Sequence, residues 1–210
     1  MTRPPRDLSL MLVTDAAGAF VETVLAAVEG GVTIVQLRDK EADDATLTEA
    51  ARALKRRLAP LGVPLIVNDR VAVARAAGAD GVHLGQSDGD PAIAREILGP
   101  EPLIGLSVTA PDQTDTVDPA VVDYVGLGPV FPTATKPDAA APLGLDGFRT
   151  TRGAIDLPVI AIGGIDAANA NSVIRAGADG LAVVSAICGA PDPRAAALAL
   201  RQAIRDGRGR

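Results

Sequence analysis

The sequence predicts an α/β protein, a single (β/α)8 or TIM barrel, and three observations predict it. Eight short aliphatic runs alternate strictly with Ala-rich helical stretches along the 210 residues; strict βα alternation implies a parallel sheet, and eight units close it into a barrel. Hydrophobic residues make up 48% of the chain but aromatics only 2%, so the core must be built from Val, Ile, Leu and Ala, the residues that doubly covered parallel strands use. The first strand runs into Thr14-Asp15-Ala16-Ala17-Gly18, which lacks the phosphate fingerprint that a rival open, doubly wound sheet carries there.

In order, the strands are expected at Leu8–Thr14, Thr33–Arg38, Pro64–Asn68, Gly81–Leu84, Leu103–Ser107, Tyr124–Leu127, Val159–Ile162 and Gly180–Val183. The helices between them are expected at Ala19–Glu29, Ala45–Ala59, Val71–Ala77, Pro91–Leu98, Ala110–Val117, Gly147–Ala154, Ala167–Arg175 and Pro193–Arg205. An internal rhyme supports the count. Glu29-Gly30-Gly31-Val32, Ala77-Gly78-Ala79-Asp80-Gly81 and Ala176-Gly177-Ala178-Asp179-Gly180 each end a helix and open a strand, with glycine as the left-handed helix cap. Residues 1–210 read as one domain, with 1–6 and 207–210 as flexible tails.

The net charge of −6 argues against non-specific binding to nucleic acid or an anionic membrane. The scarcity of aromatics argues against base stacking as well. Any bound anion must therefore be held by a local cluster of donors. Cys188 is the one cysteine, which excludes an intrachain disulfide and a cysteine-based zinc site. The apolar run after Arg3 and Arg6 is too short for a signal-peptide core or a membrane span, so a soluble cytoplasmic protein is expected. A homo-oligomer stays open.

In this fold, function lies at the C-terminal ends of the strands. The second strand runs into Gln36-Leu37-Arg38-Asp39-Lys40. Side chains alternate along a strand, so Gln36, Arg38 and Lys40 can share one side. Two adjacent cations call for an anion between them; the competing reading is an exposed charged turn. Asp69 follows the third strand and Asp88 follows the fourth. Two carboxylates at about 4 Å repel by roughly 4 kcal/mol at an effective dielectric near 20. Such a pair needs a cation, a shared proton or water, and hard oxygen ligands in small number suit Mg²⁺ completed by substrate phosphates. The competing reading makes Asp88 a helix cap.

The sole histidine, His83, reads more readily as a packed interior residue with a satisfied hydrogen bond than as a general base. Ser107 ends the fifth strand, where its hydroxyl can meet a phosphate or close a turn. The sixth strand leads into Gly128-Pro129-Val130-Phe131-Pro132-Thr133-Ala134-Thr135-Lys136-Pro137, where prolines stiffen a loop bearing two hydroxyls and an ammonium. The small-residue stretch that follows, to Pro142, suggests a lid. Gly163-Gly164 after the seventh strand and Val184-Ser185 after the eighth match the recurrent phosphate cradle of these barrels.

In order and spacing these segments resemble the thiamine phosphate synthase family across nearly the whole chain. The matching pieces are Gln36–Lys40, Val67-Asn68-Asp69-Arg70, Val82–Asp88, Ile104-Gly105-Leu106-Ser107, Gly126–Lys136 and Ala161–Ile165; the Pro-Thr-x-Thr-Lys loop is the most telling. The resemblance implies a transferase. It would join 4-amino-5-hydroxymethyl-2-methylpyrimidine diphosphate to 4-methyl-5-(2-phosphoethyl)thiazole and release pyrophosphate. It implies that the pyrimidine diphosphate is bound by Gln36, Leu37, Arg38, Asp39, Lys40, Asn68, Ser107 and Lys136. Lys136, Arg38, Lys40 and Ser107 would be catalytic, and Mg²⁺ would be held by Asp69 and Asp88. The thiazole phosphate would sit on Thr133, Ala134, Thr135, Gly164, Val184 and Ser185. The implied mechanism is dissociative, which suits a site rich in fixed positive charge and poor in bases. One departure stands out: the family often has a histidine two residues after the strand-5 serine, where this chain has Thr109. The rival readings are a thiazole tautomerase, which would need an evident proton shuttle, and a non-catalytic phosphate-binding regulatory barrel.

Overall fold

The computed structural model describes residues 7–14, 20–133 and 140–209. Among them, eight parallel strands follow one another around a closed barrel: β1 (Leu10–Val13), β2 (Ile34–Leu37), β3 (Leu65–Asn68), β4 (Gly81–Leu84), β5 (Leu103–Val108), β6 (Tyr124–Leu127), β7 (Val159–Ile162) and β8 (Gly180–Val183). β8 pairs with β1 to close the ring. Every strand lies where the aliphatic runs place it, with ends that differ by up to two residues. The helices are α1 (Phe20–Glu29), α2 (Asp44–Leu58), α3 (Val71–Ala77), α4 (Pro91–Leu98), α5 (Gly144–Arg152), α6 (Ala170–Arg175), α7 (Ser185–Cys188) and α8 (Pro193–Gly207).

Three helices differ from expectation: α5 spans Gly144–Arg152 rather than Gly147–Ala154, and two others differ for local reasons. The stretch expected as a helix over Ala110–Val117 is a 3₁₀ helix, Pro111–Thr116. It has no apolar stripe to bury, and the hydroxyls of Thr114 and Thr116 donate to the carbonyls of Pro111 and Gln113 three residues back, each at 2.7 Å; such local bonds compete with the α-helical ladder. α6 starts at Ala170 rather than Ala167, because the Asp166 carboxylate accepts from the N–H groups of Ala168 and Asn169 (2.8 and 3.1 Å) and holds a turn there.

The strands' alternation divides the core into two shells. Leu10 and Leu12 pack outward with the helices, as do Leu65 and Val67. Met11, Val13, Ile34, Ile66, Leu103, Tyr124, Ile160 and Ala182 fill the barrel interior. The same alternation turns Gln36, His83 and Ser107 inward, above that apolar plug.

The N-terminal face is held by three matching clamps, which explain part of the sequence rhyme. The Asp80 carboxylate accepts from the Leu65 N–H at 2.8 Å and pairs with Lys55 at 2.5 Å. Asp123 does the same with the Ile104 N–H and Arg95 (2.7 and 2.6 Å). Asp179 repeats it with the Val159 N–H and Arg152 (2.8 and 3.0 Å). Each ties the residue before an even-numbered strand to the preceding strand and to a helix. Arg208, expected in a flexible tail, donates to Ser9 Oγ at 3.1 Å and to the Asp179 carbonyl. Among the described residues, no helix is long and apolar enough to cross a membrane.

Candidate active site

The C-terminal ends of the strands surround a cavity of about 670 Å³. Gln36, Arg38 and Lys40 line it on the β2 side, as the alternation requires. The two intervening residues do not reach it: Leu37 is buried in the outer core, and Asp39 Oδ1 accepts from the N–H groups of Glu41 and Ala42 (2.9 and 3.0 Å). Arg70 clamps this loop from β3. Its guanidinium donates to the carbonyls of Ala42 (2.5 Å), Asp39 and Lys40 (both 3.4 Å), and pairs with Asp44 at 3.2 Å. Arg70 thus fixes the backbone that carries Arg38 and Lys40.

Asn68 and Asp69 line the cavity at the end of β3, and Asp88 at the end of β4. Asp69 adopts the left-handed backbone region (φ 62°), which aspartate tolerates better than bulky residues do. Its N–H donates to the His83 carbonyl at 2.8 Å. Strained conformations of this kind gather at functional sites. Burial, then the hydrogen bond and the charge of Asp88, push the Asp69 carboxyl up to about 6, while Lys40 and Arg38 pull it down. Asp88 does not cap the next helix; Asp90 takes that role, accepting from the Ala92 N–H at 2.8 Å. Asp88 instead accepts from the Gly85 N–H at 2.8 Å, which turns its carboxylate back toward Asp69. Among the described residues, no three metal-ligating side chains converge. A facing pair of carboxylates, one of which resists ionisation, is a donor set that fits Mg²⁺, an ion that usually keeps several waters and takes substrate phosphate oxygens.

Thr133, Gly164, Val184 and Ser185 line the opposite side. Gly163 and Gly164 have positive φ (98° and 64°), and the loop after β6 lies directly on them. Phe131 N–H donates to the Gly163 carbonyl at 3.0 Å, and a Cβ on Gly164 would stand 2.5 Å from the Pro132 carbonyl oxygen. Glycine is required here for close approach of two backbones. Asn169 Nδ2 donates to the Gly164 carbonyl at 2.9 Å, so the cradle's peptide is held in orientation. Ser185 opens α7. Ala134, Thr135 and Lys136, with most of the expected lid, lie outside the described residues.

Ser107 lines the floor of the cavity together with His83 and Tyr124. His83 Nε2 is 2.9 Å from Ser107 Oγ, and Nδ1 is 3.0 Å from Tyr124 Oη. Burial pushes the imidazole down to about 4, so it is neutral near pH 7, and burial raises the Tyr124 phenol. Neither Tyr124 nor Gln113 stands in a sequence motif that points to the site. Thr109 lines the cavity where the family often has histidine; its N–H and hydroxyl both donate to Gln113 Oε1 (2.7 and 3.1 Å). The signal for Tyr124 was its isolation as the one tyrosine, inside a strand, at a barrel-interior register.

A family model described as thiamine monophosphate synthase matches residues 10–187. The thiamine-phosphate synthase of Azorhizobium caulinodans is 53% identical over 208 residues, covering 97% of this chain and 98% of its own. That of Xanthobacter autotrophicus is 55% identical over 204 residues, covering 95% and 97%. Among solved structures, a thiamine phosphate pyrophosphorylase from Pyrococcus furiosus superposes with a TM-score of 0.87 at 38% identity, covering 96% of this chain and 98% of that one.

Proposed function

From the premise that this chain belongs to the thiamine monophosphate synthase family, we propose how the two poles of its cavity divide the family's reaction. The enzyme is a transferase that condenses the pyrimidine and thiazole moieties to thiamine phosphate. The observation that carries the division of labour is the cavity itself. Its β2–β4 side holds two cations and a carboxylate pair, and its β6–β8 side holds hydroxyls and a glycine cradle.

Arg38, Lys40 and Asn68 bind the diphosphate of the pyrimidine substrate, and Gln36 and Ser107 meet its ring from the barrel floor. Asp69 and Asp88 would hold Mg²⁺, which would supply positive charge against the departing diphosphate. Thr133, Gly164, Val184 and Ser185 receive the thiazole phosphate. Thr135 and Lys136 join these groups by their match to the family's loop. The methylene C–O bond breaks and pyrophosphate leaves with the electron pair. The thiazole nitrogen then supplies its lone pair to the methylene carbon. No proton need move, which suits a site whose one imidazole is buried, neutral and turned to internal partners. Arg38 and Lys40 act by stabilising charge that grows on the departing group. Among the described residues, the internal engagement of that imidazole disfavours a tautomerase.

The test is a two-substrate kinetic comparison. Arg38→Ala and Lys40→Ala should lower kcat and raise KM for the pyrimidine diphosphate. Ser185→Ala should raise KM for the thiazole phosphate by about 10- to 100-fold, the loss of one hydrogen bond to a charged group, and leave the pyrimidine KM unchanged. Equal effects on both substrates would show that the poles are misassigned.

A further inference from the structure

We propose that Tyr124 and His83 are positioning residues that fix the Ser107 hydroxyl as a hydrogen-bond donor to an acceptor atom of the pyrimidine, the ring nitrogen being the acceptor such a heterocycle offers. The proposal rests on the reading that Ser107 meets the pyrimidine ring.

It begins in the strand register. His83 pairs with Gly105, and Gly105 pairs with Tyr124, so the three lie in one row across β4, β5 and β6. The middle position has no side chain. A Cβ on Gly105 would stand 2.2 Å from Tyr124 Cζ and 2.4 Å from His83 Nδ1. The imidazole and the phenol therefore meet over a gap that only glycine leaves. One layer up, Ser107 pairs with Gly126, whose missing Cβ would stand 2.9 Å from His83 Cε1. Two glycines thus clear the space in which the chain's single histidine and single tyrosine touch.

The polarity of the chain follows from its far end. Gln36 Nε2 lies 3.9 Å from Met11 Sδ. A thioether accepts weakly and cannot donate, so the amide turns its NH₂ group to this corner. A phenol is a stronger donor than acceptor, and Gln36 acts on Tyr124 in the sense of a donor, favouring the phenolate. The phenol proton then has His83 Nδ1 as its acceptor at 3.0 Å. A neutral imidazole accepting at Nδ1 carries its proton on Nε2, and that N–H donates to Ser107 Oγ at 2.9 Å. The serine proton is left to point into the cavity that Ser107 lines. In the opposite tautomer, Ser107 would donate to Nε2 and present only lone pairs to the substrate. The relay therefore selects an acceptor on the pyrimidine over its exocyclic amino group.

The single histidine makes the tautomer directly readable. In the ¹⁵N spectrum of the whole protein, labelled on histidine at about pH 7, Nε2 should be the protonated, pyrrole-type nitrogen and Nδ1 the pyridine-type one. A protonated Nδ1 would overturn the proposal without any mutation. Kinetics then test the coupling. Tyr124→Phe keeps the ring and removes the donor that fixes the tautomer, so the pyrimidine KM should rise by about 3- to 10-fold, the range for one hydrogen bond, with the thiazole KM unchanged. Ser107→Ala should do the same, and the double variant should be no worse than Ser107→Ala alone, because residues that act through one another are non-additive. Multiplying effects, or equal effects on both substrates, would mean Tyr124 is merely structural and would overturn the relay. An unaffected Ser107→Ala also overturns it by removing its endpoint; that failure is the serine's, and it is recognised by an Nε2–H tautomer that persists.

Discussion

Replacing Asp69 by asparagine should make the metal-free protein more stable and the enzyme nearly inactive. Asparagine is isosteric and tolerates the left-handed backbone that Asp69 adopts (φ 62°), so the substitution tests charge rather than shape. The Asp69 carboxyl is raised from the usual 3.8 to about 6, first by burial and then by Asp88. A rise of two units corresponds to about 3 kcal/mol of unfavourable ionisation. The group is only half-buried, so solvent screening reduces this to roughly 1–2 kcal/mol. Both the folded and the unfolded chain carry Asp69 ionised at pH 8, so the cost falls on the fold and Asp69→Asn removes it. At about 2–4 °C per kcal/mol for a chain of this size, the thermal midpoint in chelator at pH 8 should rise by roughly 2–8 °C. Added Mg²⁺ should stabilise the native sequence and leave the variant unmoved. Turnover with Mg²⁺ should fall by on the order of 100-fold, at least the loss seen when a metal site's supporting groups are removed. A variant that melts lower than the native protein in chelator, or that turns over normally, would refute the account of this pair.

Three further outcomes follow from the same geometry. Asp80→Asn breaks the contact to Lys55 on the N-terminal face, opposite the strand ends that carry the chemistry of this fold; it should cost about 1–3 kcal/mol in urea unfolding and leave both KM values unchanged. Gly164→Val forces a side chain against the Pro132 carbonyl and Phe131, so it should displace the loop that carries Thr133 and raise the thiazole KM well beyond Ser185→Ala, as read by initial rates. Lys136→Ala should slow the chemical step in single-turnover kinetics, because a cation on the departing pyrophosphate matters most in the transition state; a native rate would remove Lys136 from the mechanism.

The parts of this molecule that repeat by simple period were legible in the sequence. Every strand is an aliphatic run, and the alternation that puts Leu37 outward and Gln36, Arg38 and Lys40 inward needs only a period of two. The Asp69–Asp88 approach followed from adjacency of β3 and β4 in a sequential barrel. What escaped the reading depends on register between strands far apart in sequence. His83 and Tyr124 are separated by 41 residues, and nothing local says that Gly105 stands between them. The expectation of an interior histidine with a satisfied hydrogen bond was correct, but its partners could not be named. The 3₁₀ helix at Pro111–Thr116 escaped for the opposite reason: its hydroxyl-to-carbonyl bonds are local, and helix propensity does not weigh them. Asp39 shows the limit of a contiguous motif, since alternation turns it away from the cavity between two residues that line it.

The most direct measurement is product formation by the purified protein given the pyrimidine diphosphate, the thiazole phosphate and Mg²⁺, with thiamine phosphate and pyrophosphate quantified together. The two products should form in equal amounts, only when both substrates are present, and both should be lost in chelator. Isomerisation of the thiazole alone, or binding of either substrate without turnover, would contradict the transferase assignment.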